Sequence, residues 1–169
     1  ETIRLFLAYG MRFPKGQDEM TVSYLARNPN LTEEAMKQII HISNEGWHSY
    51  STGHQAKIHL AKNPSVTVGI LDLLSHAEYY DLAIQVAKNP KTSAKSLERI
   101  AVRHSAAGNV LRAVLQNPKV SDELLHAAID HPYFSVREVV ADELEKRGYY
   151  VQAPHNQITD EDSEDDYEF

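Results

Sequence analysis

The pair Asn-Pro constrains this chain more than any other feature. Arg27-Asn28-Pro29, Lys62-Asn63-Pro64, Lys88-Asn89-Pro90 and Gln116-Asn117-Pro118 follow one another at intervals of 35, 26 and 28 residues. A proline pushes the residue before it out of the α region and cannot donate a backbone hydrogen bond, so each pair ends a helix. A chain punctuated in this way folds as a series of short helices or not at all. The flanks repeat as well. Three residues before each Asn stands Leu25, Leu60, Val86 or Val114, and two before it Ala26, Ala61, Ala87 or Leu115. Four after it stands Thr32, Thr67, Ser93 or Ser121, eight after it Met36, Leu71, Leu97 or Leu125, and eleven after it Ile39, Leu74, Ile100 or Ala128.

Each column has a physical reading. The apolar residues before Asn close an amphipathic helix. The hydroxyl four positions on is placed to cap the next helix, and the apolar residues beyond it share one helical face. Each unit is therefore helix, Asn-Pro corner, helix. A degenerate fifth unit is expected at Val139-Val140-Ala141-Asp142, 25 residues after Val114, with Glu143 in place of the proline. Its helix should run to about Lys146-Arg147 and stop at Gly148. Such self-similarity predicts an all-α fold, an α-solenoid of about five stacked two-helix repeats over residues 1–150.

The stretches LARNPNLTEEAMKQII, LAKNPSVTVGILDLL, VAKNPKTSAKSLERIA and VLQNPKVSDELLHAAIDHPYFSVREVVA closely resemble the leucine-rich repeat variant family, over roughly residues 21–147. The resemblance implies alternating α- and 3₁₀-type helices in a right-handed superhelix related to HEAT-type stacking. It implies architecture rather than a shared activity. A founding example of the family carries a Cys-ligated iron–sulfur cluster beside its repeats, but this chain has no cysteine, so no redox role is carried over.

The absence of cysteine also excludes disulfides and thiolate chemistry and fits a cytoplasmic, reducing setting. No apolar run approaches the ~20 residues of a membrane helix, and the start, ETIRLFLAYG, lacks the basic flank of a signal peptide. Because the chain begins at Glu1, residues upstream are expected. The net charge of −7 is concentrated at one end: seven of the 24 acids lie between Asp160 and Glu168, leaving 17 acids against 17 Lys and Arg elsewhere. Residues 151–169 thus read as an acidic tail, disordered unless bound. Tyr167 and Phe169 within it are candidate docking residues.

Three positions carry candidate contact residues. Arg27, Lys62 and Lys88 precede the Asn of successive units, and Lys91 and Lys119 follow two later in the last two units. Equivalent positions stack in a solenoid, so these cations predict a strip for an anionic partner. The competing explanation is that a cation near a helix C-terminus complements the macrodipole, by ~0.3–1 kcal/mol. The long first interval holds an insertion, Ser43 to His54, with Trp47, His48 and Tyr50. It is expected to form a loop that either contacts the partner or covers a gap between units. His41, His48, His54 and His59 form no metal-binding motif, so no metal or other cofactor is expected.

No catalytic signature is present: neither a nucleophile elbow nor a phosphate-cradling glycine loop occurs. The expectation is a non-catalytic, protein-binding scaffold of bacterial or phage type, with no membrane contact. It would use the basic strip and the aromatic insertion, and the acidic tail would compete for the same surface. The alternative is a nucleic-acid-binding solenoid regulated by that tail, which the neutral body makes the weaker reading.

Overall fold

A computed structural model describes residues 18–44 and 50–150, with side chains for 22–44 and 53–150. Every regular element among them is an α-helix, in keeping with an α-solenoid. In chain order these are α1 Asp18–Leu25, α2 Glu33–Asn44, α3 Tyr50–Lys62, α4 Val68–Leu74, α5 Tyr80–Lys88, α6 Ala94–Arg103, α7 Gly108–Leu115, α8 Asp122–Ala127 and α9 Phe134–Lys146. The 3₁₀ helices implied by the family resemblance are absent from the described residues; both helices of each unit are α.

The helices form two rows. Odd-numbered helices pack side by side, α1 on α3, α3 on α5, α5 on α7 and α7 on α9. Even-numbered helices lie against this row, and neighbouring even helices touch far less. The reason is visible in the columns. Leu60, Val86 and Val114 are fully buried at the ends of the odd helices, followed by Ala61, Ala87 and Leu115. Met36, Leu71, Leu97 and Leu125 are fully buried on the even helices that face them. Burying side chains of this size contributes about 1.5–3 kcal/mol each. One further column, three residues after Asn, runs Leu31, Val66, Thr92 and Val120 and is also buried. Its odd member is tolerated because the Thr92 hydroxyl donates to the Val86 carbonyl at 2.5 Å.

The hydroxyl column caps the even helices as its position predicts. Thr32 accepts from the Ala35 amide at 3.3 Å, Thr67 from Ile70 at 3.3 Å, Ser93 from Ser96 at 3.1 Å and Ser121 from Leu124 at 3.2 Å. A cap of this kind is worth about 1 kcal/mol.

Two expectations change. Tyr133 stands at the N-cap of α9 as Tyr79 does for α5 and Ala107 for α7, and Leu82, Val110 and Val136, three residues on from each, are all buried. This register pairs Val140 with Val114 and Glu143 with Asn117, one residue later than the sequence alignment gives. With neither Asn nor Pro to stop it, α9 runs through the corner to Lys146. It ends where expected, at Gly148, whose φ of 86° is open to glycine. There the Gly148 amide donates to Glu145 and the Tyr149 amide to Leu144.

The insertion is the second change. Much of it is helix rather than loop: Ser43 and Asn44 finish α2, and Tyr50 to His54 begin α3. Gly53 permits this, since a Cβ there would stand 2.9 Å from the Ser43 carbonyl oxygen. His54 is buried; its Nε2 meets the Asp81 carboxylate on α5 at 2.6 Å, and its ring lies edge-on to Tyr79.

Candidate functional site

The Asn-Pro corners lie on one edge of the stack, joined by a ladder of asparagines. The Asn63 side-chain amide donates to the Ala26 and Asn28 carbonyls at 2.8 and 2.9 Å. Asn89 donates to Ala61 at 2.7 Å, and Asn117 to Ala87 and Asn89 at 2.6 and 3.0 Å. On its other side each amide oxygen accepts from the backbone two residues on: Asn30, Ser65, Lys91 and Lys119. Only Asn supplies both a short acceptor for its own turn and two donors for the corner before it. The Ser65 hydroxyl adds a bond to the Pro29 carbonyl.

This ladder positions the cations. Arg27, Lys62 and Lys88 all stand exposed beside it, on three successive corners. The Arg27 guanidinium donates through Nε and a terminal nitrogen to His59 Nε2, at 3.1 and 2.9 Å, and lies over the Tyr24 ring. With both donors on Arg27, His59 Nε2 must be the bare acceptor of a neutral ring. Burial holds the His59 pKa below its ordinary value, and the charges of Arg27 and Lys62 push it the same way. His59 therefore belongs to the strip, although nothing in its sequence position marks it.

Lys91 does not extend the strip as a free cation. Its ammonium donates to the Pro64 and Val66 carbonyls at 2.7 and 3.1 Å, clamping the preceding corner. The Lys119 side chain is exposed. Among the described residues the acids that meet a basic side chain do so elsewhere: Glu33 with Lys37, Asp72 with Arg99, Asp81 with His54, Asp122 with Arg147 and Glu143 with Lys146. None pairs with Arg27, Lys62 or Lys88. Along the edge the position before Asn therefore changes from Arg27, Lys62 and Lys88 to neutral Gln116, and then to Asp142 beside Glu143.

The opposite edge, where even helices turn into odd ones, is aromatic. Tyr79 and Tyr80 open α5, and Tyr133 and Phe134 open α9; all four rings are exposed. Between them α7 opens with Ala107 and Gly108, and a Cβ on Gly108 would come within 3.0 Å of the Tyr133 ring. The gap leaves a cleft of about 280 Å³, lined by Glu78, Tyr80, Arg103, His104 and residues 105–107. Histidines tie this edge together: His104 Nε2 donates to the Ala77 carbonyl at 3.2 Å and His131 Nε2 to Ser105 at 3.4 Å. The signal was present in sequence, since Tyr79, Ala107 and Tyr133 stand ten residues before Asn89, Asn117 and Glu143.

Trp47, His48, Tyr167 and Phe169 lie outside the described residues, as does the side chain of Tyr50. Among the described residues no group of three or more His, Asp or Glu is arranged to hold a metal ion, and no helix is long and apolar enough to cross a membrane. No family model, curated protein or solved structure matches the chain.

Proposed function

We propose that this chain is a non-catalytic, protein-binding scaffold: a right-handed solenoid of about five repeats, of the leucine-rich repeat variant or HEAT-like kind, working in the cytoplasm. Its contact surface is the Asn-Pro edge, and its partner presents acidic residues there. One observation carries the reading. Arg27, Lys62 and Lys88 occupy the same place on three consecutive corners and meet no acid among the described residues. Complementing a helix dipole explains a cation at one corner. Three cations in register, none paired with an acid among the described residues and the first backed by a neutral histidine, give a surface on which an anion gains several contacts at once. The aromatic rings of the opposite edge and the Trp47 segment add apolar contact area of the kind enriched at binding hot spots.

The test is affinity capture on the intact chain at low and moderate salt, with and without the combined Arg27→Glu, Lys62→Glu and Lys88→Glu changes. The reversed protein should lose its acidic partners while keeping its helical circular dichroism. Unchanged recovery sinks the reading. Recovery of nucleic acid alone, with affinity falling steeply against salt, would favour a phosphate backbone as the ligand instead.

A further inference from the structure

The geometry points to an occupant that the chain carries itself: we infer that the acidic segment Asp160–Glu168 docks on the Arg27, His59, Lys62 and Lys88 edge. The inference rests on reading that edge as an anion-binding surface, and adds what regulates access to it.

The place where the described chain ends is the first argument. The odd helices run in parallel, so the C-terminus of α9 lies at the Asn-Pro edge. Arg147 confirms it, donating to the Val120 carbonyl at 2.9 Å and pairing with Asp122, both in the corner that follows Asn117. Tyr149 is anchored there too, its hydroxyl donating to the other Asp122 oxygen at 2.7 Å. The chain thus leaves the described fold at Tyr150 on the same edge as the cations.

Reach is the second. Packed helices stand about 8–10 Å apart, which puts Lys88 about 20 Å from α9, Lys62 about 30 Å and Arg27 about 40 Å. An extended chain covers roughly 3.3–3.6 Å per residue. Asp160 therefore reaches about 35 Å from Tyr150, and Glu168 about 60 Å, enough for the segment to pass all three corners.

Charge is the third. The seven acids fall in blocks, Asp160 to Asp162, Glu164 to Asp166, and Glu168, split by Ser163 and Tyr167. At about 3.3 Å per residue the blocks are centred roughly 10–13 Å apart, close to the spacing of successive corners. The gradient on the edge gives a direction. Asp142 repels the segment near its start, Glu143 is compensated by Lys146, Gln116 is neutral, and the attraction begins at Lys88. Tethering adds an effective concentration in the millimolar range, so an external acidic peptide must displace a segment already in place.

Two measurements on the full-length chain test this. The first is the affinity of a fluorescent ten-residue oligo-glutamate peptide for the native chain and for a chain with all seven acids changed to Asn or Gln (Asp160→Asn, Glu161→Gln and so on). Removing the competing charge should tighten binding tenfold or more, and Lys62→Ser with Lys88→Ser should abolish the gain. The second is zero-length carbodiimide cross-linking of mixed light and ¹⁵N-labelled chains, which should join Lys62 or Lys88 to the acids of the same molecule. Equal, measurable affinity of native and neutralised chains overturns the docking and leaves the edge as an anion site. Absence of binding by both overturns the docking and the reading beneath it together. Cross-links found only between light and heavy chains overturn docking within one molecule.

Discussion

The Asn117 side-chain amide donates to the Ala87 carbonyl, 30 residues earlier, at 2.6 Å. Both groups belong to corners that proline has stripped of ordinary helical bonding, and Asn117 is 3% exposed. Asn117→Ala leaves the buried Ala87 carbonyl without its side-chain donor, the Asn89 carbonyl with the Thr92 amide alone, and the Lys119 amide without its acceptor. An unsatisfied buried group costs about 1–3 kcal/mol, so a total loss of roughly 2–4 kcal/mol is expected in urea unfolding. Asn63→Ala should behave alike. Asn28→Ala, at an exposed corner where the amide oxygen only closes its own turn, should cost well under half as much.

Lysines two residues apart should separate by what they lose. Lys91→Ser removes two bonds to the preceding corner and should lower the melting temperature by a few degrees, with little change in oligo-glutamate affinity. Lys88→Ser should do the reverse. Paired thermal melts and titrations on the two variants decide it, and similar behaviour in both assays would remove the distinction drawn between clamp and strip.

His59 should titrate below its ordinary pKa near 6.5, and ¹⁵N spectra should show a neutral ring protonated at Nδ1. Arg27→Gln should raise the midpoint without restoring the ordinary value, because burial, the larger cause, remains. The sign for stability follows from the lowered folded value. As pH falls below about 6.5 the unfolded chain takes up the proton first, so stability declines until the folded pKa is passed. His59→Gln should flatten this part of the profile.

A second loss of stability belongs to lower pH. The Asp122 carboxyl is held below its ordinary range by hydrogen bonds from Tyr149 and Arg147, and Asp72 by those from Arg99 and Ser96. Their contribution is complete above the unfolded value near 3.8 and disappears as pH falls through the lower folded values. Acid unfolding of Asp122→Asn should therefore depend less on pH in this range than that of the native chain.

Gly148→Ala places a side chain at φ 86° with open space around it. The strain is in the backbone alone, so about 1 kcal/mol of destabilisation is expected. It should appear as faster amide exchange in the last turn of α9 rather than across the stack.

The repeat was legible because its chemistry is local. Proline, hydroxyl cap and helical spacing act within a dozen residues, and the predicted apolar columns are buried, apart from Leu25 and Ala128, which are half-buried. Reading failed where a position takes its meaning from a neighbouring unit. Lys91 looks like any surface lysine until the Pro64 and Val66 carbonyls are placed beneath it. His59 joins the strip only because α1 and α3 pack together. The last unit slipped by one because it was aligned on a missing Asn-Pro, whereas its register is set at the other edge, by Tyr133. That edge is hard to read in the sequence for the same reason: its aromatic column skips a unit at Ala107 and Gly108.

The asparagine ladder also has an arrow. Each amide reaches back to the corner made before it, never forward, so a corner is finished only by the unit that follows. During synthesis the carbonyl of Ala61 waits 28 residues for Asn89, and that of Ala87 waits 30 for Asn117. The chain would emerge from the ribosome in the order in which its corners close, each new unit locking the last.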